Sequence, residues 1–171
     1  MEELVEKAKN GEIRALEELI KMYELILYNT ARTFLKCDDD IEEAIQQTII
    51  LVYTNIYKLR NEKFFKTWLV RILINQCKKI LNNQKKERIR NINIEEIENL
   101  KTTEKDDYSF ITYVLNKLDE KDKEIIILYY YDDFSIREIS KILGVAKGTI
   151  KSRLSRAREK MKKIINKEGL M

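Results

Sequence analysis

The sequence predicts an all-α protein of two helical domains joined by an acidic linker, and three observations predict it. The 171 residues include no proline and four glycines, where average usage of about 5% and 7% would give about eight and twelve. The turn punctuation that strand-rich folds need is therefore missing. Apolar residues recur at spacings of three and four over long stretches, the period of an amphipathic helix. Between two such regions lies a polar, acidic segment without a sustained period.

The elements follow in order. From Ile13 the apolar positions Leu16, Leu19, Ile20, Tyr23, Ile26, Leu27, Ala31, Phe34 and Leu35 form one stripe, predicting a long helix that ends near Cys37. Asp38, Asp39 and Asp40 then supply acceptors and negative charge where a second helix begins, and they read as caps rather than metal ligands. Ile41, Ala44, Ile45, Thr48, Ile49, Val52 and Ile56 form its stripe. A third helix is predicted from about Phe64 to Lys86, with Phe65, Trp68, Leu69, Ile72, Leu73, Gln76, Ile80 and Leu81 on one side and a basic opposite side. Trp68 belongs to this stripe, and of the adjacent Phe64 and Phe65 only one can face inward. Residues 91–107 read as the linker, long enough at ~3.3 Å per residue to span roughly 56 Å and hold two domains apart on a large partner. Helices are then expected over 108–118, 120–131, 136–143 and from 147 onward, with at least one of Tyr129, Tyr130 and Tyr131 on the surface.

Composition excludes several classes of function. With 44% hydrophobic residues the chain can bury one modest core or two small ones. Two cysteines and no histidine make neither a disulfide framework nor a zinc shell, so no metal, cofactor or small-molecule substrate is expected. Cys37 and Cys77 read as small buried apolar residues in a reduced, cytoplasmic setting. No stretch has signal-peptide or membrane-spanning character. Dispersed carboxylates without histidine argue against an enzyme.

Charge placement is more informative than the net +4. Residues 1–57 carry 6 basic and 12 acidic side chains, 58–90 carry 11 and 2, 91–143 carry 7 and 13, and 144–171 carry 9 and 2. Two basic blocks standing in acidic contexts suggest two separate polyanion contacts.

Ser135 and Glu138 make an S-x-x-E capping box before Ile136, Ile139 and Ile142, and the short helix stops at Gly144. A strongly basic helix starts soon after, which is the helix-turn-helix pattern, its second helix suited to a DNA major groove. With Ile150 at the centre of the buried stripe and roughly 100° per residue, Leu154, Ala157 and Met161 lie near it. Gly148, Ser152, Ser155 and Arg156 fall on the opposite face, flanked by Lys151 and Lys163. Short polar side chains and a reaching arginine suit base edges, and lysines suit phosphates.

The segment LDEKDKEIIILYYYDDFSIREISKILGVAKGTIKSRLSRAREKMKK closely resembles the minus-35-reading domain of bacterial alternative sigma factors of the extracytoplasmic-function group. GEIRALEELIKMY, DIEEAIQQTIILVY and KFFKTWLVRILINQCKK resemble the same family's core-polymerase-binding and minus-10-reading domain, in the family's order. The resemblance covers about residues 8–90 and 108–165. It implies a region 2-like domain over 1–90, the linker over 91–107 and a region 4-like domain over 108–171, without an additional regulatory domain. Ala146 stands where the family usually has serine, so the recognition helix lacks a side-chain cap, at a typical cost of about 1 kcal/mol. Gln47 and Lys79 replace residues that are usually acidic.

The resemblance further implies a sigma factor that binds core RNA polymerase and directs promoter-specific initiation. The polymerase contact falls on the helix bearing Asp40, Glu43, Gln46 and Gln47. Capture of the melted minus-10 strand falls on the following basic region, where Arg60, Lys63, Lys66, Arg71 and Lys78 suit phosphates, Asn61 and Asn75 suit an extruded base, and Phe64 stands beside the basic loop. Minus-35 contacts fall on Lys147, Gly148, Thr149, Lys151, Ser152, Arg153, Ser155 and Arg156. A cognate anti-sigma factor, possibly membrane-anchored, is also implied. The rival reading is a free-standing helix-turn-helix regulator, whose first domain would be built for self-association instead of polymerase binding.

Overall fold

The computed structural model describes residues 1–90, 113–115 and 117–167, with side chains to residue 87 in the first span. The expected linker and most of the helix expected over 108–118 lie outside the described residues; Tyr113, Val114 and Leu115 are helical. The helices, in chain order, are α1 (Glu2–Lys9), α2 (Ile13–Phe34), α3 (Asp38–Asn55), α4 (Phe65–Arg90), α5 (Glu120–Tyr130), α6 (Ile136–Leu143) and α7 (Lys147–Lys167). Short 3-10 turns at Ile56–Lys58 and Glu62–Phe64 connect α3 to α4. Among the described residues there is no strand.

Helix α1 was not anticipated. It has only eight residues and buries only Val5 and Ala8, too few to register as a period. Glu2 and Glu3 in its first turn and Lys7 and Lys9 in its last complement the helix dipole. The turn into α2 uses Gly11 at φ 91°, a backbone conformation that a side chain disfavours.

Helix α2 buries Leu16, Leu19, Tyr23, Leu27 and Ala31 as its stripe requires, but Ile13, its first residue, is 56% exposed. The chain leaves α2 in extended conformation at Leu35, itself buried. Cys37 is exposed, correcting the expectation that both cysteines are buried. It occupies the N-cap of α3, in the turn between two helices and outside both stripes. The three aspartates are corrected too: they lie in the first turn of α3, and no side-chain hydrogen bond caps that helix. Their contribution is negative charge against the positive helix end. Asp40 accepts a hydrogen bond from Gln84 Nε2 of α4 at 2.8 Å.

The first core joins α1 to α4: Leu19, Leu27, Leu35, Ile41, Ala44, Val52, Phe65, Leu69, Leu73 and Cys77 are buried together, with Trp68 and Ile72 partly buried against them. Phe65 lies between Tyr23 and Trp68, ring centroids 5.8 and 6.2 Å away, while its neighbour Phe64 is partly exposed. The second core gathers Ile125, Ile126, Leu128, Phe134, Ile139, Ile142, Ile150, Leu154 and Ala157. It also takes Val70 and Ile74 from α4. The far side of α4, expected to be simply basic, thus includes an apolar strip covered by the second domain. α5 packs on α2, and α6 packs on α4. The two domains are therefore in contact, where the linker's reach had suggested separation.

Candidate nucleic-acid interface

The helix-turn-helix is built as its sequence requires. Ser135, extended at φ −63° and ψ 155°, is the N-cap of α6. Its Oγ accepts from the Glu138 backbone N–H at 3.3 Å, and Glu138 Oε2 accepts from the Ser135 backbone N–H at 3.0 Å. These reciprocal bonds satisfy two donors at the helix start. Gly144 ends α6 in left-handed conformation at φ 67°, as a C-terminal glycine can without strain. α7 begins at Lys147, and the Ile150 N–H bonds the Ala146 carbonyl at 3.0 Å.

Ile150, Leu154 and Ala157 of α7 are buried and Met161 is partly buried, so the inferred stripe faces the core. Lys147, Gly148, Lys151, Ser152, Ser155, Arg156 and Lys163 are exposed, with Thr149 and Arg153 at the margin. Arg156 Nε donates to the Ser152 carbonyl at 3.4 Å, a long bond that a base edge can replace.

Two contacts fix the pitch of α7 on α5. Lys160 Nζ bonds Asp119 Oδ2 at 2.7 Å and Asp122 Oδ2 at 2.5 Å. The lysine's hydrogen bond, with a backbone N–H from Asp122, holds the Asp119 carboxyl down at about 2. Arg158 lies over the rings of Tyr129 and Tyr130 and donates to the Tyr130 hydroxyl at 2.7 Å. Tyr130 and Tyr131 are exposed.

On α3, Glu43, Gln46 and Gln47 are exposed along one side and Asp40 is half-buried at its start. Ile50, Tyr53 and Tyr57 continue that side as exposed apolar positions.

The loop from Leu59 to Phe64 is anchored below and open above. Leu59 is buried, while Arg60, Asn61 and Lys63 are exposed. Asn61 Oδ1 accepts from the Lys63 N–H at 3.0 Å, capping the 3-10 turn, and Glu62 pairs with Lys9 of α1 at 2.5 Å. Arg71 and Asn75 of α4 are exposed.

Lys66 and Lys78 are placed differently, because both reach into the second domain. Lys66 Nζ donates to the Asp132 carbonyl at 2.5 Å and lies 4.4 Å from the Phe134 ring centroid. Lys78 pairs with the nearly buried Glu124 carboxylate at 2.9 Å. Phe64 has the Lys141 amine 3.8 Å from its ring centroid. The structure thus groups Arg60, Asn61, Lys63, Arg71 and Asn75 on open surface and commits Phe64, Lys66 and Lys78 to the domain seam.

Sequence reasoning missed the groups on the other side of that seam: Glu124, Asp132, Phe134 and Lys141. The available signal was the run Leu69, Val70, Ile72, Leu73 and Ile74, whose apolar arc is too wide for a helix serving one core. Cys77 is inside the first core, and burial pushes its thiol up to about 12, so it stays protonated and unreactive. No group of three or more histidine, cysteine or acidic side chains among the described residues could hold a metal ion. No helix there is long and apolar enough to cross a membrane.

Comparison with known proteins agrees with both halves of this arrangement. Residues 19–87 match the family described as Sigma-70 region 2, and residues 111–161 match Sigma-70, region 4. RNA polymerase sigma factor SigV of Bacillus subtilis is 32% identical over 145 residues, covering 84% of this chain and 86% of its own length. ECF RNA polymerase sigma factor SigW of the same organism is 24% identical over 174 residues, covering 93% of each. RNA polymerase sigma factor NccH of Alcaligenes xylosoxydans xylosoxydans is 27% identical over 170 residues, covering 94% of this chain and 91% of its own. Among solved structures, CnrH in complex with the cytosolic domain of CnrY shares the fold at a TM-score of 0.74 and 22% identity, with 96% of each chain covered. RpoE in complex with the anti-sigma factor NepR from Bartonella quintana superposes at 0.73 with 25% identity, covering 88% of this chain and 96% of RpoE. With region 2 followed by region 4 and full-length relatives of this kind, the chain belongs to the extracytoplasmic-function sigma factors of bacterial RNA polymerase.

Proposed function

We propose a division of labour within this sigma factor that assigns each promoter step to named side chains. As a sigma factor it binds core RNA polymerase and directs promoter-specific initiation. In our reading, residues 1–90 form the polymerase-binding and minus-10 domain, with Asp40, Glu43, Gln46 and Gln47 of α3 as the polymerase contact. Arg60, Lys63, Lys66, Arg71 and Lys78 hold phosphates of the melted minus-10 strand, Asn61 and Asn75 hydrogen-bond an extruded base, and Phe64 stacks beside it. Residues 108–171 form the minus-35 domain, read through α7. The protein works in the cytoplasm by positioning the polymerase and performs no covalent catalysis. CnrH and RpoE were each solved with a partner, CnrY and the anti-sigma factor NepR, and an anti-sigma factor is the partner we assign to this chain.

The observation that supports the reading most directly is α7: its apolar stripe is buried while Ser152, Ser155 and Arg156 remain open to a groove. A self-associating regulator finds no such support in the first domain, which resembles region 2 over 19–87. Run-off transcription with core polymerase on a genomic promoter library tests the proposal. Transcripts starting a fixed distance downstream of a shared pair of elements are expected. Failure to co-elute with core polymerase, or starts independent of the added chain, would overturn it.

A further inference from the structure

Helix α1 precedes the stretch that matches region 2, residues 19–87, and carries none of the side chains assigned to polymerase or DNA. Its packing nevertheless ties it to the minus-10 loop. Val5 and Ala8 are sunk in the first core with Leu4 packed against it, and the helix rests on α2 and on both 3-10 turns that lead into α4. From the last turn of α1, Lys9 Nζ reaches across 53 residues of sequence to Glu62 Oε1 at 2.5 Å.

Glu62 stands in the middle of the loop assigned to the extruded base. Leu59 and Phe65 are buried and fix the two ends of that loop. Between them Arg60, Asn61, Lys63 and Phe64 are exposed, and Glu62 alone turns inward. The pair with Lys9 therefore fastens the loop directly beside Asn61, whose own Oδ1 is used to cap the turn.

Glu62 is also out of place by charge. Residues 58–90 carry 11 basic and 2 acidic side chains, and a bare carboxylate beside Arg60 and Lys63 would repel the phosphates those cations are assigned to hold. The Lys9 amine cancels it. The Lys9 and Glu62 side chains are only 22% and 28% exposed, so water and salt screen this pair less than the open ion pairs whose contribution is small. Lys7 differs: its partner is Glu3 on the same helix, with side chains 51% and 80% exposed.

We propose that Lys9 is a positioning residue for minus-10 recognition: paired with Glu62, it sets the height and tilt of the 61–64 turn so that Asn61 meets the extruded base. The inference deepens the assignment of this loop to base capture and rests on it. Hydrogen bonds to a base edge weaken steeply with misalignment and need their partner held to within about 0.5 Å. Attraction to a phosphate falls off slowly with distance and tolerates such a shift. Loss of the pair should therefore remove base discrimination while sparing the phosphate contribution.

The test uses holoenzyme assembled from core polymerase and the full chain. Its probe is a promoter from the run-off screen, pre-melted through the minus-10 element and carrying either the native base or an abasic site at each non-template position in turn. Competition binding gives an intact-to-abasic affinity ratio at every position. At the captured position, Lys9→Ala and Glu62→Gln should each lower the wild-type ratio at least about threefold, within reach of one partly shielded ion pair. Lys9→Arg, which keeps the pair, and Lys7→Ala, which removes the same charge elsewhere on α1, should retain the ratio.

The two disruptive variants change the local charge in opposite directions, which separates positioning from simple neutralisation. If Lys9→Ala weakens and Glu62→Gln strengthens binding by equal factors on intact and abasic probes, charge alone is at work and the proposal is overturned. An unchanged ratio in both variants overturns it too. Should Lys9→Ala lose helical content, Glu62→Gln and Lys9→Arg decide the matter, since neither alters the buried face of α1. A wild-type ratio near one at every position would instead show that the loop captures no base, and the assignment beneath the inference would fail.

Discussion

Thr30 donates a 2.9 Å hydrogen bond to the Asp132 carboxylate across 102 residues of sequence, and solvent reaches neither side chain appreciably. A carboxyl in such a place is most comfortable neutral. Burial pushes Asp132 up from 3.8 to about 6, against the opposing pull of the Thr30 hydrogen bond and the Lys66 charge.

The first prediction follows from that shift. A carboxyl whose folded pKa is raised favours the packed form most at low pH; the benefit fades as pH rises from about 4 to 6 and is gone above. Between pH 7 and pH 5 the chain should gain on the order of 1 kcal/mol from this group. The carboxyls with depressed values, Asp119 and Glu138 together with Glu3 and Glu62, lose their contributions only as pH falls below about 5. Thermal unfolding at both pH values checks it: the gain should be present in wild type and absent in Asp132→Asn.

The second concerns polymerase. Glu43 and Gln46 are exposed on α3 and outside its packed stripe. Glu43→Lys with Gln46→Ala should abolish co-elution with core polymerase while circular dichroism stays unchanged. Retained co-elution would move the contact elsewhere.

The third concerns melting, where structure refines the choice of substitution. Asn61 caps a 3-10 turn through its side-chain oxygen, so alanine removes a local hydrogen bond as well as any base contact, whereas Asn61→Asp retains the acceptor. Asn61→Asp with Asn75→Ala should slow open-complex formation on duplex promoters more than on pre-melted templates. Permanganate footprinting reads the difference, and equal losses on both templates would count against base capture.

The fourth concerns α7. Arg156→Ala should relax preference at a single minus-35 position by about 1 to 3 kcal/mol, as expected for one bidentate arginine–guanine contact. Lys151→Ala and Lys163→Ala should weaken all promoters alike and each reduce the salt slope by about 0.9. Promoter variants titrated across a salt series separate the two behaviours; a uniform loss for Arg156→Ala would place that side chain on the backbone.

The sequence by itself determined the elements that local physics controls. The stripe of α2 follows from the spacing of Leu16, Leu19, Tyr23 and Leu27, and the limits of α6 follow from the Ser135–Glu138 box and Gly144, because period, caps and left-handed glycines act within a few residues. The same reasoning separated the buried and open faces of α7, since a helix with one apolar stripe has one way to face a core. Tertiary structure alone decided where Lys66 and Lys78 go. Their charges and spacing are the same whether an amine faces a phosphate, the Asp132 carbonyl or Glu124, and the acceptors lie 66 and 46 residues away. Val70 and Ile74 show why: local periodicity reports that a side chain is apolar, but which of two cores receives it depends on how the domains pack.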